Sequence, residues 1–200
     1  MKKILIATAI AATLVAPQAF AQAQNFEGFS LGANLNVANA STEVTGPGLS
    51  LKPSESSQNL GLQAQYNWAL GDAFVLGAGV SVGVGDLKGG EYNSGGTFNV
   101  KQKEAYSLFV APGVALNDSV LLYGKVAALS GKAELTGPGV SGSATANGVG
   151  YGLGVQSYLN KNLFIQGELM QNNYNEVDIN PTTKGKLNSA IFSIGVGYRF

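Results

Sequence analysis

Near the C-terminus, six residues of one parity, Ala190, Phe192, Ile194, Val196, Tyr198 and Phe200, are apolar, and all but the alanine are large. Those between them, Ile191, Ser193, Gly195, Gly197 and Arg199, are mostly small or polar. Successive side chains of a strand point to opposite faces, so this segment reads as one strand with an apolar face and a contrasting face. A tilted strand needs about ten residues to cross the hydrocarbon core of a bilayer, and this one has that length. Alone in lipid it would leave N–H and C=O groups unpaired along both edges, so a spanning strand must belong to a closed barrel.

Earlier segments supply the remaining strands. Phe29 to Val37 alternates Phe29, Leu31, Ala33, Leu35 and Val37 with Ser30, Gly32, Asn34 and Asn36. Asn59 to Leu70 sets Leu60, Leu62, Ala64, Tyr66 and Trp68 against Gly61, Gln63, Gln65 and Asn67. Further alternating runs begin at Phe74, Ala105, Val120, Gly148 and Leu163, which makes about eight strands with the last. Pro112 has no N–H to give a ladder, so it is expected at a bulge or rim. Short turns at Leu70-Gly71-Asp72-Ala73, Leu116-Asn117-Asp118-Ser119 and Asn160-Lys161-Asn162 alternate with long polar stretches. Those stretches, Asn39 to Ser57, Asp86 to Gly96, Lys132 to Asn147 and Asn172 to Lys186, read as loops. Outer-membrane barrels have short periplasmic turns and longer external loops. The expected fold is all-β: an eight-stranded antiparallel up-and-down transmembrane β-barrel over residues 22–200.

Residues 1–21 read as a cleaved signal peptide. Met1-Lys2-Lys3 is a positive start, Ile4 to Ala16 is apolar but too short to span, and Ala19-Phe20-Ala21 is an A-x-A site. Cleavage after Ala23 is the alternative register. Charged residues are 12% of the chain, against about 25% in ordinary domains. Formal charge balances at zero, which removes the electrostatic case for nucleic acid as a partner.

The face opposite the apolar one carries Gly, Ser, Asn and Gln with almost no charge. A soluble barrel would place Lys and Glu there, so this face suits a narrow lumen and the apolar face suits lipid. Tyr66, Trp68, Phe74, Tyr198 and Phe200 fall at periplasmic strand ends, and Tyr106 and Tyr151 toward the other rim, in the manner of interfacial aromatic girdles.

The cleaved signal, the alternating strands and the terminal Tyr198-Arg199-Phe200 resemble the small eight-stranded outer-membrane β-barrels, the group that includes the outer membrane protein A transmembrane domain and opacity-type surface proteins. The resemblance implies residence in the outer membrane of a Gram-negative bacterium, among its lipids and lipopolysaccharide. It also implies recognition of Phe200, helped by Tyr198, by the barrel-assembly machinery. No peptidoglycan-binding domain is expected here.

His and Cys are absent, so neither a Ser-His-Asp or Cys-His nucleophile system nor a His or thiolate metal site is available. Barrel-type acyltransferases, deacylases and proteases rely on His, which this chain does not offer. Glu176 and Asp178, the closest acidic pair, read as a solvated loop face, with a weak Ca²⁺ site as the alternative. No catalytic residue, cofactor or metal is expected, and the chain reads as non-enzymatic. Its role on this reading is structural or surface-interacting, in envelope integrity or adhesion; the alternative is a narrow passive channel for small solutes or ions.

Two features carry sharper expectations. Lys125 and Glu168 each lie about five residues from a periplasmic turn on the inward parity, with Arg199 nearer the base. A charge in a narrow interior needs a partner, so Lys125 and Glu168 are expected to pair, with hydrogen bonds to Gln63, Gln65, Gln156 or Gln166. Such a pair is either a structural plug, the reading preferred here, or a gate. In the loops, Glu43 to Ser50 is nearly repeated as Glu134 to Ser141, each with a Pro-Gly step, Pro47-Gly48 and Pro138-Gly139. Shared turn chemistry explains the repeat; a paired surface for a host or surface ligand is the alternative.

Overall fold

The computed structural model describes residues 23–46, 49–51, 54–85, 87–93, 97–137, 140–180 and 183–200. Residues 1–22, including the expected signal peptide, and the two Pro-Gly steps lie outside them. A short 3-10 turn, Ala23–Phe26, precedes strands β1 (Gly28–Gly46), β2 (Leu49–Leu51), β3 (Ser54–Leu70), β4 (Phe74–Val84), β5 (Leu87–Asn93) and β6 (Thr97–Ala115). Then follow β7 (Val120–Gly137), β8 (Val140–Tyr158), β9 (Leu163–Tyr174), β10 (Val177–Asn180) and β11 (Thr183–Arg199). Short β2, β5 and β10 flank the mouth, and the other eight form the wall. Each wall strand pairs antiparallel with the next, and β11 returns to β1 from Ser30↔Arg199 to Thr45↔Lys184, which closes the barrel.

The oily parity looks outward. Leu62, Val80, Leu108 and Ile194 are exposed on the outer wall, while Gln63, Gln65, Gln156 and Glu168 on the alternate parity are buried inside. An exposed belt of large apolar side chains is stable only where the surroundings are apolar too. Ile194 is 57% exposed on the outer wall and pairs across to Leu35 and Gly167 in mid-strand. Ile194→Arg is therefore expected to cost about 2–4 kcal/mol of unfolding free energy in lipid vesicles, as a cation at mid-depth does.

The short turns have local causes. Gly71 has φ of 81°, a left-handed conformation open chiefly to glycine. Asn117 Oδ1 accepts from the main-chain N–H groups of Ser119 and Val120, both at 2.9 Å. Asn160 Oδ1 does the same for Asn162 at 3.0 Å and Leu163 at 2.8 Å. An Asn side chain that mimics a backbone acceptor holds such turns without help from the rest of the fold.

One expectation is corrected. The stretches read as long loops are mostly strand: β1, β3, β6, β7, β8 and β11 run on beyond the belt as tall hairpins, with β7 paired to β8 as far as Gly137↔Val140. Above the bilayer both faces meet water, so a strand no longer needs an oily parity, and polar residues hide a ladder that continues through the main chain. Glu43 stands opposite Lys186, and Lys103 Nζ lies 2.8 Å from Glu134 Oε2. Of the two places expected for Pro112, the structure has the rim and not the bulge. Pro112 pairs in register with Leu76 near the strand's periplasmic end, and the β6–β7 register shift falls instead between Lys103 and Tyr106.

Candidate functional site

The lumen is filled in layers from the periplasmic side. At its base the turn Ala23–Phe26 enters the bore as a plug. Phe26 is 0% exposed and meets the Tyr158 ring nearly edge-on at 5.3 Å, and Tyr158 in turn packs on Phe164 at 5.1 Å. The Ala23 N–H donates to Asp72 C=O at 2.8 Å, tying the plug to the β3–β4 turn. Val75, Ala115 and Leu121 complete an apolar floor. The sequence reading missed this plug; its one signal is that Phe26 has the inward parity, opposite to Phe29.

Above the floor runs a chain of side-chain amides. Asn67 Nδ2 donates to Phe26 C=O at 3.1 Å, and Gln65 Nε2 to Asn67 Oδ1 at 2.9 Å. Gln63 Nε2 and Gln156 Nε2 both donate to Gln166 Oε1 at 3.2 Å, and Gln166 Nε2 donates to Asn34 Oδ1 at 2.7 Å. Four walls, β1, β3, β8 and β9, are thereby bridged across the bore. Alternation alone places these residues inside; their length and twin donor and acceptor groups let them span it.

The charged layer lies higher. Lys125 Nζ is 2.7 Å from Glu168 Oε1, with both side chains buried. The remaining partners differ from those expected from sequence. Instead of the glutamines, the Tyr123 hydroxyl donates to the same Glu168 Oε1 at 2.7 Å, and the Lys125 ammonium lies 4.1 Å above the Phe109 ring. The glutamines donate to Asn34, Asn67 and one another, below the charged layer, whereas Tyr123, two residues before Lys125, shares its parity. Room for the phenol comes from β8, where a Cβ on Gly154 would collide with the hydroxyl end of the Tyr123 ring. Arg199 stands apart from this pair: its guanidinium donates to Lys161 C=O and sits 5.0 Å from the Tyr158 ring at the base.

Above the charges a polar cavity of about 120 Å³ is lined by Asn36, Asn59, Ser81, Ser107 and Asn172, among others. The lumen thus holds aromatic rings such as Phe109, Tyr123 and Phe164 beside its amides, and is not the uniformly small and polar bore expected. The reason is steric: glycines on one strand admit rings from the next, as Gly197 also does for Phe164.

Of the other residues singled out, Tyr66 and Trp68 pack together at 5.0 Å on the outer wall. Phe74, Tyr106 and Tyr151 are exposed there as well. Tyr198 and Phe200 meet at 5.1 Å, and Phe29 lies 6.0 Å from Phe200. The two Pro-Gly steps are bracketed by the pairs Gly46↔Leu49 and Gly137↔Val140.

An apolar outer belt, a closed ladder and a packed polar bore together define a transmembrane β-barrel of the outer membrane. The chain belongs to the outer membrane protein beta-barrel domain family, whose profile matches residues 7–200. A search of curated proteins finds no match to the sequence. Among solved structures it is similar to Neisserial surface protein A, with 15% identity, 86% of this chain and 97% of that chain covered, and a TM-score of 0.55. It is also similar to Ail, the attachment invasion locus protein of Yersinia pestis, with 21% identity, coverage of 87% and 99%, and a TM-score of 0.51. Another structure found is the outer membrane protease OmpT from Escherichia coli, at 9% identity, coverage of 86% and 97%, and a TM-score of 0.48. These likenesses concern the fold.

Proposed function

We propose that this is a non-enzymatic outer-membrane barrel whose role is exercised by the hairpins above the outer leaflet, in surface contact, adhesion or envelope integrity. The observation that carries this reading is the contrast between the two ends of the wall. Below, the bore is filled by Phe26, the amide chain and the Lys125–Glu168 pair. Above, paired strands rise past the belt and present the chain's polar residues. The absence of His and Cys argues against the nucleophile and metal chemistry that a barrel enzyme would need. Outer-leaflet lipid, including lipopolysaccharide, is the expected neighbour of the outer wall, and a host or surface ligand the expected partner of the hairpins.

Liposome swelling tests the reading directly. Vesicles carrying the protein are expected to swell no faster than empty ones on addition of small sugars. Solute-size-dependent swelling would instead support the channel reading, for which the polar cavity above Glu168 is the favouring observation. On the plug reading, Lys125 and Glu168 hold the bore shut and do not switch, so Glu168→Ala should leave conductance negligible.

The terminal aromatics have a separate role in this proposal. Phe200 is 69% exposed beside Tyr198 and Phe29, a form that suits capture by the barrel-assembly machinery. Deleting Phe200 is expected to lower the heat-modifiable, membrane-inserted fraction; unchanged insertion would reduce it to a girdle residue. Residues 1–21 act, on the same reading, as the cleaved signal peptide, with the mature barrel starting at residue 22.

A further inference from the structure

The cavity of about 120 Å³ in the upper bore has two unlike sides. Its floor is the Lys125–Glu168 pair. Above it stands Tyr174, whose hydroxyl accepts from Gln102 Nε2 at 2.8 Å, with both residues buried. On β1, β3, β4 and β6 the lining includes Asn36, Asn59, Ser81 and Ser107. Across from these, Leu129 of β7, Met170 of β9 and Ile191 of β11 give an apolar side.

The polar side is already ordered. Ser193 Oγ donates to Asn36 Oδ1 at 2.7 Å, and Asn36 Nδ2 donates to Asn59 Oδ1 at 2.9 Å, so this relay ends on the Asn59 amide. The Ser81 and Ser107 hydroxyls share a bond of 2.7 Å. Two acceptors are left over. Gln63 Oε1 and Asn172 Oδ1 belong to buried residues that line the cavity, and neither has a partner among the described residues. A buried amide oxygen without a donor is destabilising, so native structures keep few of them.

These features select the chemistry of an occupant. Lys125 and Glu168 neutralise each other, so a charged guest would enter without a counter-ion. An enclosed water needs several polar partners, which the apolar side does not offer. A molecule with hydroxyl edges and C–H faces serves both sides. The wall also has a break at this height. The β4–β6 ladder stops at Val82↔Tyr106, and the next pairing on that edge of β6 is Gln102 with Leu87 of β5. Inside the break, the small residues Gly83 and Ala105 line the cavity.

We propose that this cavity is a binding site for a small uncharged polyol, about four carbons long to suit its volume, entered through the break between β4 and β6. Binding here involves no passage, because the charged pair, the amides and Phe26 fill the bore beneath. The absence of swelling expected above therefore holds whether or not the site is filled, and the two readings fail separately.

Met170 is one of two methionines, the other being Met1, so its ε-methyl group is a clean NMR reporter inside the cavity. With the barrel in lipid nanodiscs, erythritol is expected to shift that signal saturably, with half-saturation at about 1–10 mM. Threonate, a charged analogue, and butanol, which lacks the hydroxyl edge, are expected to give no saturable shift. Asn172→Leu removes a leftover acceptor. It is expected to weaken erythritol binding about fivefold, as loss of one hydrogen bond implies, while keeping the urea midpoint at or above the parent's. A residue kept only for the fold would do the reverse. Ser107→Ala, on the opposite side, is expected to weaken binding as well and tests the site should Asn172→Leu not fold. No saturable shift with erythritol, equal binding of threonate or butanol, or parent-like binding by the folded variants overturns the proposal and leaves a cavity that holds water only. The entrance has its own test. An ideal Cβ on Gly83 lies 3.5 Å from the Ala105 Cβ, a separation that a disulfide can span. Oxidised Gly83→Cys/Ala105→Cys is expected to exchange erythritol about tenfold more slowly than its reduced form; equal exchange in both forms overturns the side entrance.

Discussion

Lys125→Met is expected to lower the unfolding free energy of the barrel in lipid by about 3–5 kcal/mol, read as a reduced urea midpoint with an unchanged slope. The reason is what the substitution leaves behind. Glu168 is 6% exposed, and its Oε1 holds both Lys125 Nζ and the Tyr123 hydroxyl. Without the ammonium, a carboxylate remains in a packed bore with a phenol as its named donor. Removing both charges together avoids that penalty, because a buried ion pair and a well-packed apolar pair are often similar in stability. The double variant Lys125→Met/Glu168→Leu should thus be more stable than Lys125→Met alone. If the double variant is instead as unstable as the sum of the single ones, the loss comes from packing around Phe109 and not from an orphaned charge.

Phe26→Ala is expected to cost a similar amount, about 3–5 kcal/mol, as large-to-small changes in a packed core do. Phe26 is fully buried against Tyr158, and its carbonyl anchors the amide chain through Asn67. The vacancy would lie at the periplasmic floor, below the Lys125–Glu168 layer. Stability should fall while planar-bilayer conductance stays negligible, because the amide and charge layers still cross the bore. A conducting Phe26→Ala barrel would mean that the plug alone seals the lumen.

The wall and its sidedness were legible from sequence because lipid imposes a rule on every residue it touches. From Phe29 to Val37 and from Ala190 to Phe200, a polar outward residue would be costly, so period two is written out plainly. Where that rule lapses, so did the reading. Thr42 to Gly46 and Lys132 to Gly137 are strands, yet water on both faces demands no alternation and their ladder is made by main-chain atoms common to all sequences. The Lys125–Glu168 pairing could be read because both charges share a parity and a depth. Their companions Tyr123 and Phe109 could not, since aromatic residues on the inward parity look like ordinary strand formers until Gly154 is seen across from Tyr123. The plug at Ala23–Phe26 lies before the first alternating run, where no periodicity exists to mark it.

The seam of the barrel joins Gly28–Gly46 to Thr183–Arg199, the first wall strand to the last. Every other wall contact joins neighbours along the chain, but this one needs nearly the whole polypeptide to be present before it can form. The entropy of closing so large a loop is recovered only when the final zipper engages. A chain that stops short of Thr183–Arg199 therefore cannot form this seam and keeps two raw edges, with unpaired N–H and C=O groups that lipid cannot satisfy.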